Sequence, residues 1–192
     1  MDKLVKITVL TLGLAVASIG WSDWSGSAHA DQNDERLDTL FAALQDTQNE
    51  RDAQVINEAI WQIWMTVEDG TQQAIMNEGR LAMATDRLNV ALNLFSRLIA
   101  LAPDYAEAWN RRATVYFLLG ELDRSAADVD QVLALEPRHY GALGGLAQIE
   151  LARDNLDNAL DALETALGFY PLMPGVRDRV DRLRLAIEGQ RI

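Results

Sequence analysis

Three of the chain's four prolines, Pro103, Pro137 and Pro171, stand 34 residues apart. That period is the length of one helix–turn–helix unit. A single unit is too thin to bury its own apolar face, so successive units must stack into a continuous core. The spacing therefore predicts an all-α solenoid. It also directs function toward surfaces that bind, rather than toward a catalytic pocket.

Aligned on the prolines, the chain divides into units at 72–105, 106–139 and 140–173. In the middle unit Trp109, Ala113 and Tyr116 recur at i, i+4 and i+7, which is one face of a helix. Small Ala113 lets a second helix approach the first. Gly120 suits the left-handed position that ends a helix. Val129, Val132 and Leu135 form the inner stripe of the second helix, and Pro137 stops it. Asp104, with Glu107 three residues later, reads as a capping box opening the first helix. The third unit repeats the pattern with Leu143, Leu146, Ala147, Leu156, Ala159, Leu163, Ala166 and Phe169. The first unit carries it with Ile75, Gly79, Ala82, Leu88, Ala91, Phe95 and Leu98.

On these residues the chain resembles the tetratricopeptide repeat (TPR) family over 72–173. The resemblance implies a right-handed superhelical solenoid in which the first helix of each unit lines a concave groove. The groove positions carried over to this chain include Asn77 and Arg80 in the first unit. Asn110, Arg111 and Thr114 are contributed by the second unit and Gln148 by the third. Guanidinium and amide groups of this kind bind carboxylates and peptide backbones. Some members of the family hold a peptide C-terminus that way. Here Arg80, Asn77, Asn110 and Arg111 are expected to form a polar, cationic floor, unless the arginines pair with neighbouring helix acids. Arg112 and Glu150 replace residues that are apolar or aromatic elsewhere in the pattern, and are expected to loosen the packing there. Gly141, Gly144 and Gly145 fall within five residues at the third unit's first helix. Each costs a helix up to about 1 kcal/mol relative to alanine, so either close packing or a smooth groove floor must offset them.

The flanks read differently. Lys3 and Lys6 precede the apolar run Ile7 to Gly20, and Ala28-His29-Ala30 forms a small-residue cleavage site. This layout predicts a secretory signal peptide over 1–30, cleaved after Ala30, and hence a periplasmic or secreted protein with no membrane insertion after cleavage. Residues 31–71 read as a degenerate, repeat-like helix pair. Leu37, Leu40, Phe41 and Leu44 mark its first helix; Ile60, Ile63 and Trp64 are among the markers of its second. Trp61 and Trp64 are expected to pack in a core rather than to form an aromatic ligand box. Extending the register backwards places Asp69 where the proline should be. From 174 to 192 the single stripe Val176, Val180, Leu183, Ile187 predicts a helix that caps the solenoid.

Chemistry has little to work with. The formal net charge is −12, which repels phosphate backbones and argues against nucleic acid as a partner. There is no cysteine, which removes thiolate catalysis and cysteine metal sites. His139, in the turn after Pro137, has no evident catalytic company. The acids read as a solvated face. No cofactor, metal site or enzymatic activity is expected. The expected function is an exported scaffold or adaptor that binds a protein or peptide in its concave groove. The alternative is a self-associating or complex-assembly component of the envelope, with Trp61 and Trp64 at its interface.

Overall fold

The computed structural model describes Gln32 and residues 34–190. The expected signal peptide lies outside the described residues. Within them the chain is all helical, in nine segments: α1 (Arg36–Asp46), α2 (Glu50–Met65), α3 (Gly70–Ala84), α4 (Leu88–Leu101), α5 (Ala106–Leu118), α6 (Leu122–Leu135), α7 (Tyr140–Ala152), α8 (Leu156–Phe169) and α9 (Val176–Gln190). None of these helices is long and apolar enough to cross a membrane.

The 34-residue period is written into the backbone as well as the sequence. Helices α4, α6 and α8 begin at Leu88, Leu122 and Leu156, and end at Leu101, Leu135 and Phe169. One residue in each helical turn takes the left-handed conformation: Asp86 at φ 56°, Gly120 at 76° and Asp154 at 61°. Glycine takes this region freely, and aspartate is among the few other residues that tolerate it. The sequence offers glycine at only one of the three positions, so the equivalence of Asp86 and Asp154 shows only in the backbone. Between units, the Trp109 indole N–H donates to the Pro103 carbonyl at 2.9 Å. Within the second unit, Ser125 Oγ donates to the Ala113 carbonyl at 2.8 Å. That contact is possible because Ala113 keeps the two helices close.

Packing order follows chain order, from the α3/α4 pair through α5/α6 and α7/α8 to α9. In addition, α3 touches α5 and α5 touches α7, whereas α4, α6 and α8 do not touch one another among the described residues. The first helices therefore form the tight inner row, and the stack curves toward them. Phe95, fully buried, fills the space over Gly79 between α3 and α4. Helix α9 lays Val176, Val180 and Leu183 against Ala159, Ala162 and Leu163 of α8.

Helices α1 and α2 depart from the stack. They form a hairpin, but α2 does not pack on α3, the next helix in the chain. Instead α1 packs on α8 and α2 on α5. The hairpin's Leu37, Phe41, Ile60 and Trp64 share one buried cluster with Tyr140, Leu143, Ala166 and Tyr170. Asp69 is not a missing proline. It caps α3, its carboxylate accepting from the backbone N–H groups of Thr71 and Gln72.

Three expectations about polar residues need correction. Arg112 does not loosen its site. Its guanidinium makes two bonds to Asp128, at 2.7 and 2.8 Å, and lies over the Trp109 ring. It thereby ties α5 to α6 by a fork-to-fork pair. Glu150 likewise gathers Arg153, Asn155 and Asn158 at the start of α8. Nor are all the acids a solvated face, because Glu107, Asp128, Glu136 and Glu150 are buried. The expected capping box at α5 is absent: the N-cap Tyr105 makes no side-chain capping bond, the Ala106 N–H donates to Gln32 Oε1 at 3.4 Å, and Glu107 turns inward.

A Cβ at position 79 would stand 2.5 Å from Phe95 Cε1. Overpacking of this kind costs about 1–3 kcal/mol, more than the up to about 1 kcal/mol that alanine returns in helix propensity. Gly79→Ala is therefore expected to lower the urea midpoint. Gly145→Ala, with nothing within 4 Å of its Cβ position, is expected to raise it.

Candidate functional site: the inner face of the repeats

The inner row of helices carries all the groove residues expected from the sequence, but the fold divides them into two groups. Asn77 and Arg80 project from α3 into an open cleft of about 600 Å³, lined also by Leu81, Met83, Ala84, Arg111 and Leu118. Asn110, Thr114 and Gln148 do not line this cleft. Thr114 donates back to the Asn110 carbonyl at 2.9 Å, and Gln148 to that of Gly144 at 3.4 Å. Both remain on the exposed surface. Leu81 and Leu118 are 57% and 54% exposed, so the cleft combines cationic and apolar surface. Leu81 and Met83 fall outside the family's groove positions, although Leu81 stands one turn after Asn77 and Met83 nearly one turn after Arg80 on α3.

The second group surrounds Glu107. Its side chain sits in the first turn of α5 with only 1% of its surface exposed. Arg111, one turn later, donates from Nε to Oε1 at 2.5 Å. Asn110 donates to Oε2 at 2.7 Å. His139 completes the set, its Nε2 lying 3.1 Å from Oε2. His139 is fully buried and also caps α7, with Nδ1 accepting from the Ala142 N–H at 3.0 Å. Because Nδ1 accepts, the ring proton sits on Nε2 and points at the carboxylate. The lone histidine is thus a structural link between α5 and α7. Burial pushes the Glu107 carboxyl toward its neutral form. The Arg111 charge and the bonds from His139 and Asn110 outweigh it, and hold the group below its ordinary value of 4.5.

The hairpin closes over this network. Trp64 stacks flat on His139, with centroids 4.1 Å apart and 8° between planes. Trp61 meets Trp64 edge-on and lies 5.7 Å from the Arg111 guanidinium carbon. Met65 Sδ is 3.7 Å from the same guanidinium. Trp61 also fills the space over Gly141, where a Cβ would stand 2.8 Å from its ring. Of the three clustered glycines, then, Gly141 is required by packing. Gly144 meets only Met173, at 3.9 Å, and Gly145 has nothing within 4 Å. The expected core role of Trp61 and Trp64 matches their position, although the neighbour they pack on is the inner face of the repeats.

The expected cationic floor is therefore half realised. Arg111 is held by Glu107, whereas Arg80 has no acidic partner among the described residues. No cluster of three or more metal-binding side chains occurs among the described residues either.

The pH dependence follows in sign. Glu107 is held below its ordinary value in the folded chain, so its contribution to stability is present above about pH 4.5 and is lost as the pH falls toward the folded value. The urea midpoint should drop between pH 7 and pH 3, and Glu107→Gln should remove part of that drop. Arg111→Met leaves the buried carboxylate uncompensated. It is expected to cost about 3–5 kcal/mol at pH 7, more than Glu107→Gln, which leaves only the partly exposed guanidinium unpaired.

Comparison with known proteins bears on the fold and the family. The family model described as tetratricopeptide repeat matches residues 76–130 and 119–174. A TPR repeat-containing protein of Rhizobium etli is 36% identical over 157 residues, spanning 82% of this chain and 77% of its own length. Among solved structures, the Sgt2 TPR domain of Aspergillus fumigatus has a TM-score of 0.60 at 18% identity, covering 64% of this chain and 83% of that domain. The first TPR of Spaghetti (RPAP3), bound to the HSP90 peptide SRMEEVD, has a TM-score of 0.58 at 16% identity, covering 61% of this chain and 93% of that one. The TPR2B domain of yeast Sti1, in complex with an Hsp70 peptide, has a TM-score of 0.57 at 18% identity, covering 64% and 99%. The repeats, their spacing and these matches together place the chain in the tetratricopeptide repeat family.

Proposed function

We propose that this chain is an exported, non-catalytic scaffold that binds an acidic peptide segment of a partner protein in the open cleft between α3 and α5. The observation that carries the reading is Arg80. It is exposed on the cleft floor, has no acidic partner among the described residues, and lies in a protein of net charge −12. An unpaired guanidinium beside Asn77 and the accessible edge of Arg111 offers charge-assisted hydrogen bonds to a carboxylate. Leu81 and Leu118 alongside offer apolar contact to a neighbouring side chain. The acidic HSP90 peptide held by the first TPR of Spaghetti supports a ligand of this class. Export rests on the layout of residues 1–30, and a periplasmic or secreted location goes with it. The alternative, self-association through Trp61 and Trp64, is less favoured, since Trp64 is buried within its own chain and Trp61 half-buried there.

Arg80 is also the clean test, because Arg111 cannot be removed without stranding Glu107. An immobilised set of short peptides, graded from acidic to basic, is the probe, with the mature chain in solution. Acidic peptides with an apolar neighbour should bind, and more weakly as salt is raised. Arg80→Ala should weaken that binding about tenfold, equivalent to about 1.4 kcal/mol, with the circular dichroism spectrum unchanged. Equal binding by the variant and the parent would remove the cleft from the proposal.

A further inference from the structure

The seam between the hairpin α1–α2 and the repeats is built unlike the repeat cores. The cores of the units are chiefly aliphatic, with residues such as Ala91, Leu98, Val132 and Leu163. The seam has an aromatic centre, with Trp64 stacked on His139 and in tilted contact with Tyr140 at 5.2 Å. Around that centre runs a polar rim. Arg138 donates to Asp38 at 2.6 Å, Tyr140 to Asn57 at 2.8 Å and Gln45 to the Gly168 carbonyl at 3.0 Å. An aromatic anchor ringed by hydrogen bonds is the anatomy of a recognition interface.

Two further observations point the same way. The Trp64 indole N–H is buried without a hydrogen-bond partner, a cost that a fully consolidated core avoids. The chain also marks where the seam ends. The Val67 side chain belongs to the core of the first unit, and its N–H donates to Gln73 at 3.0 Å. Thr66, in extended conformation, is the single residue between that anchor and the end of α2.

We propose that the hairpin α1–α2 is a ligand held in cis on the inner face, and that it lifts off as a unit about Thr66. The surface it uncovers, with Tyr140, Leu143 and Tyr170 around the Gly141 hollow, is a docking site for an amphipathic helix that presents aromatic side chains at the spacing of Trp61 and Trp64. A partner helix uses this surface by displacing the hairpin. The surface adjoins the open cleft at Arg111, which lines the cleft and is contacted by Trp61 and Met65 of the hairpin.

Amide hydrogen exchange on the intact mature chain tests this directly. The chain lacks cysteine, so a Gln45→Cys/Gly168→Cys variant can be joined by a short bismaleimide; position 168 has nothing within 4 Å of its Cβ site. The expected result is that α1 and α2 amides exchange at least tenfold faster than those of α5 and α6. Cross-linking should slow them to the α5–α6 rate and leave the other helices unchanged. Trp64→Ala should speed exchange in α1 and α2 alone, with the main thermal transition of the remaining helices kept. Two results overturn the proposal: equal exchange of the hairpin and α5–α6 before cross-linking, or a Trp64→Ala variant that loses the main transition. Either would make the hairpin an inseparable part of the core.

Discussion

A carboxylate with 1% of its surface exposed is the constraint around which the inner face is organised. Taking Glu107 out of water is costly, and the cost is met only by partners with fixed geometry. Arg111 supplies the charge from one turn along the same helix. Asn110 fills a second lone pair, and His139 reaches across from the next unit. Because His139 also caps α7, the network fixes the spacing of two repeats as well as the state of one side chain. Its ring then offers a flat surface on which Trp64 stacks. Much of the hairpin's placement follows from that contact.

The inner face is consequently unequal along its length. At the first turns of α5 and α7 it is occupied by the molecule's own tryptophans. Toward α3 it stays open, and there the polar groups keep their capacity for a ligand. The same residue type behaves in two ways across a short distance. Arg111 is a structural cation because a buried acid lies one turn before it, whereas Arg80 has no such neighbour and stays available. The division makes a groove that is periodic in principle unequal in its open and occupied parts.

How much of this the sequence carried depends on the range of the interaction. The prolines at a fixed interval, the Trp109–Ala113–Tyr116 face and Gly120 are local signals, each acting within a few residues of the chain. They were enough for the all-α stack, whereas the turns at Asp86 and Asp154 showed only in the backbone. The groove positions came from the family resemblance, and of the six only Asn77, Arg80 and Arg111 line the open cleft. Less visible was what each side chain would meet. Glu107 and His139 are 32 residues apart, and Tyr140 and Asn57 are 83. Nothing in the local pattern ties those pairs together. The misreadings at Arg112 and Glu150 share one cause. A charged residue at a buried register position looks like a defect until the opposing helix supplies its partner.

By itself, then, the sequence determined the repeat and its period, because periodicity and turn chemistry are properties of short segments. The tertiary structure decided where the first two helices go, which arginine is held by an acid and which has none among the described residues, and that Gly141 is a hollow for Trp61 while Gly145 is not. Those outcomes depend on desolvation and on shape between segments far apart in the chain. They exist only once the burial of one group has been balanced against the contacts of another.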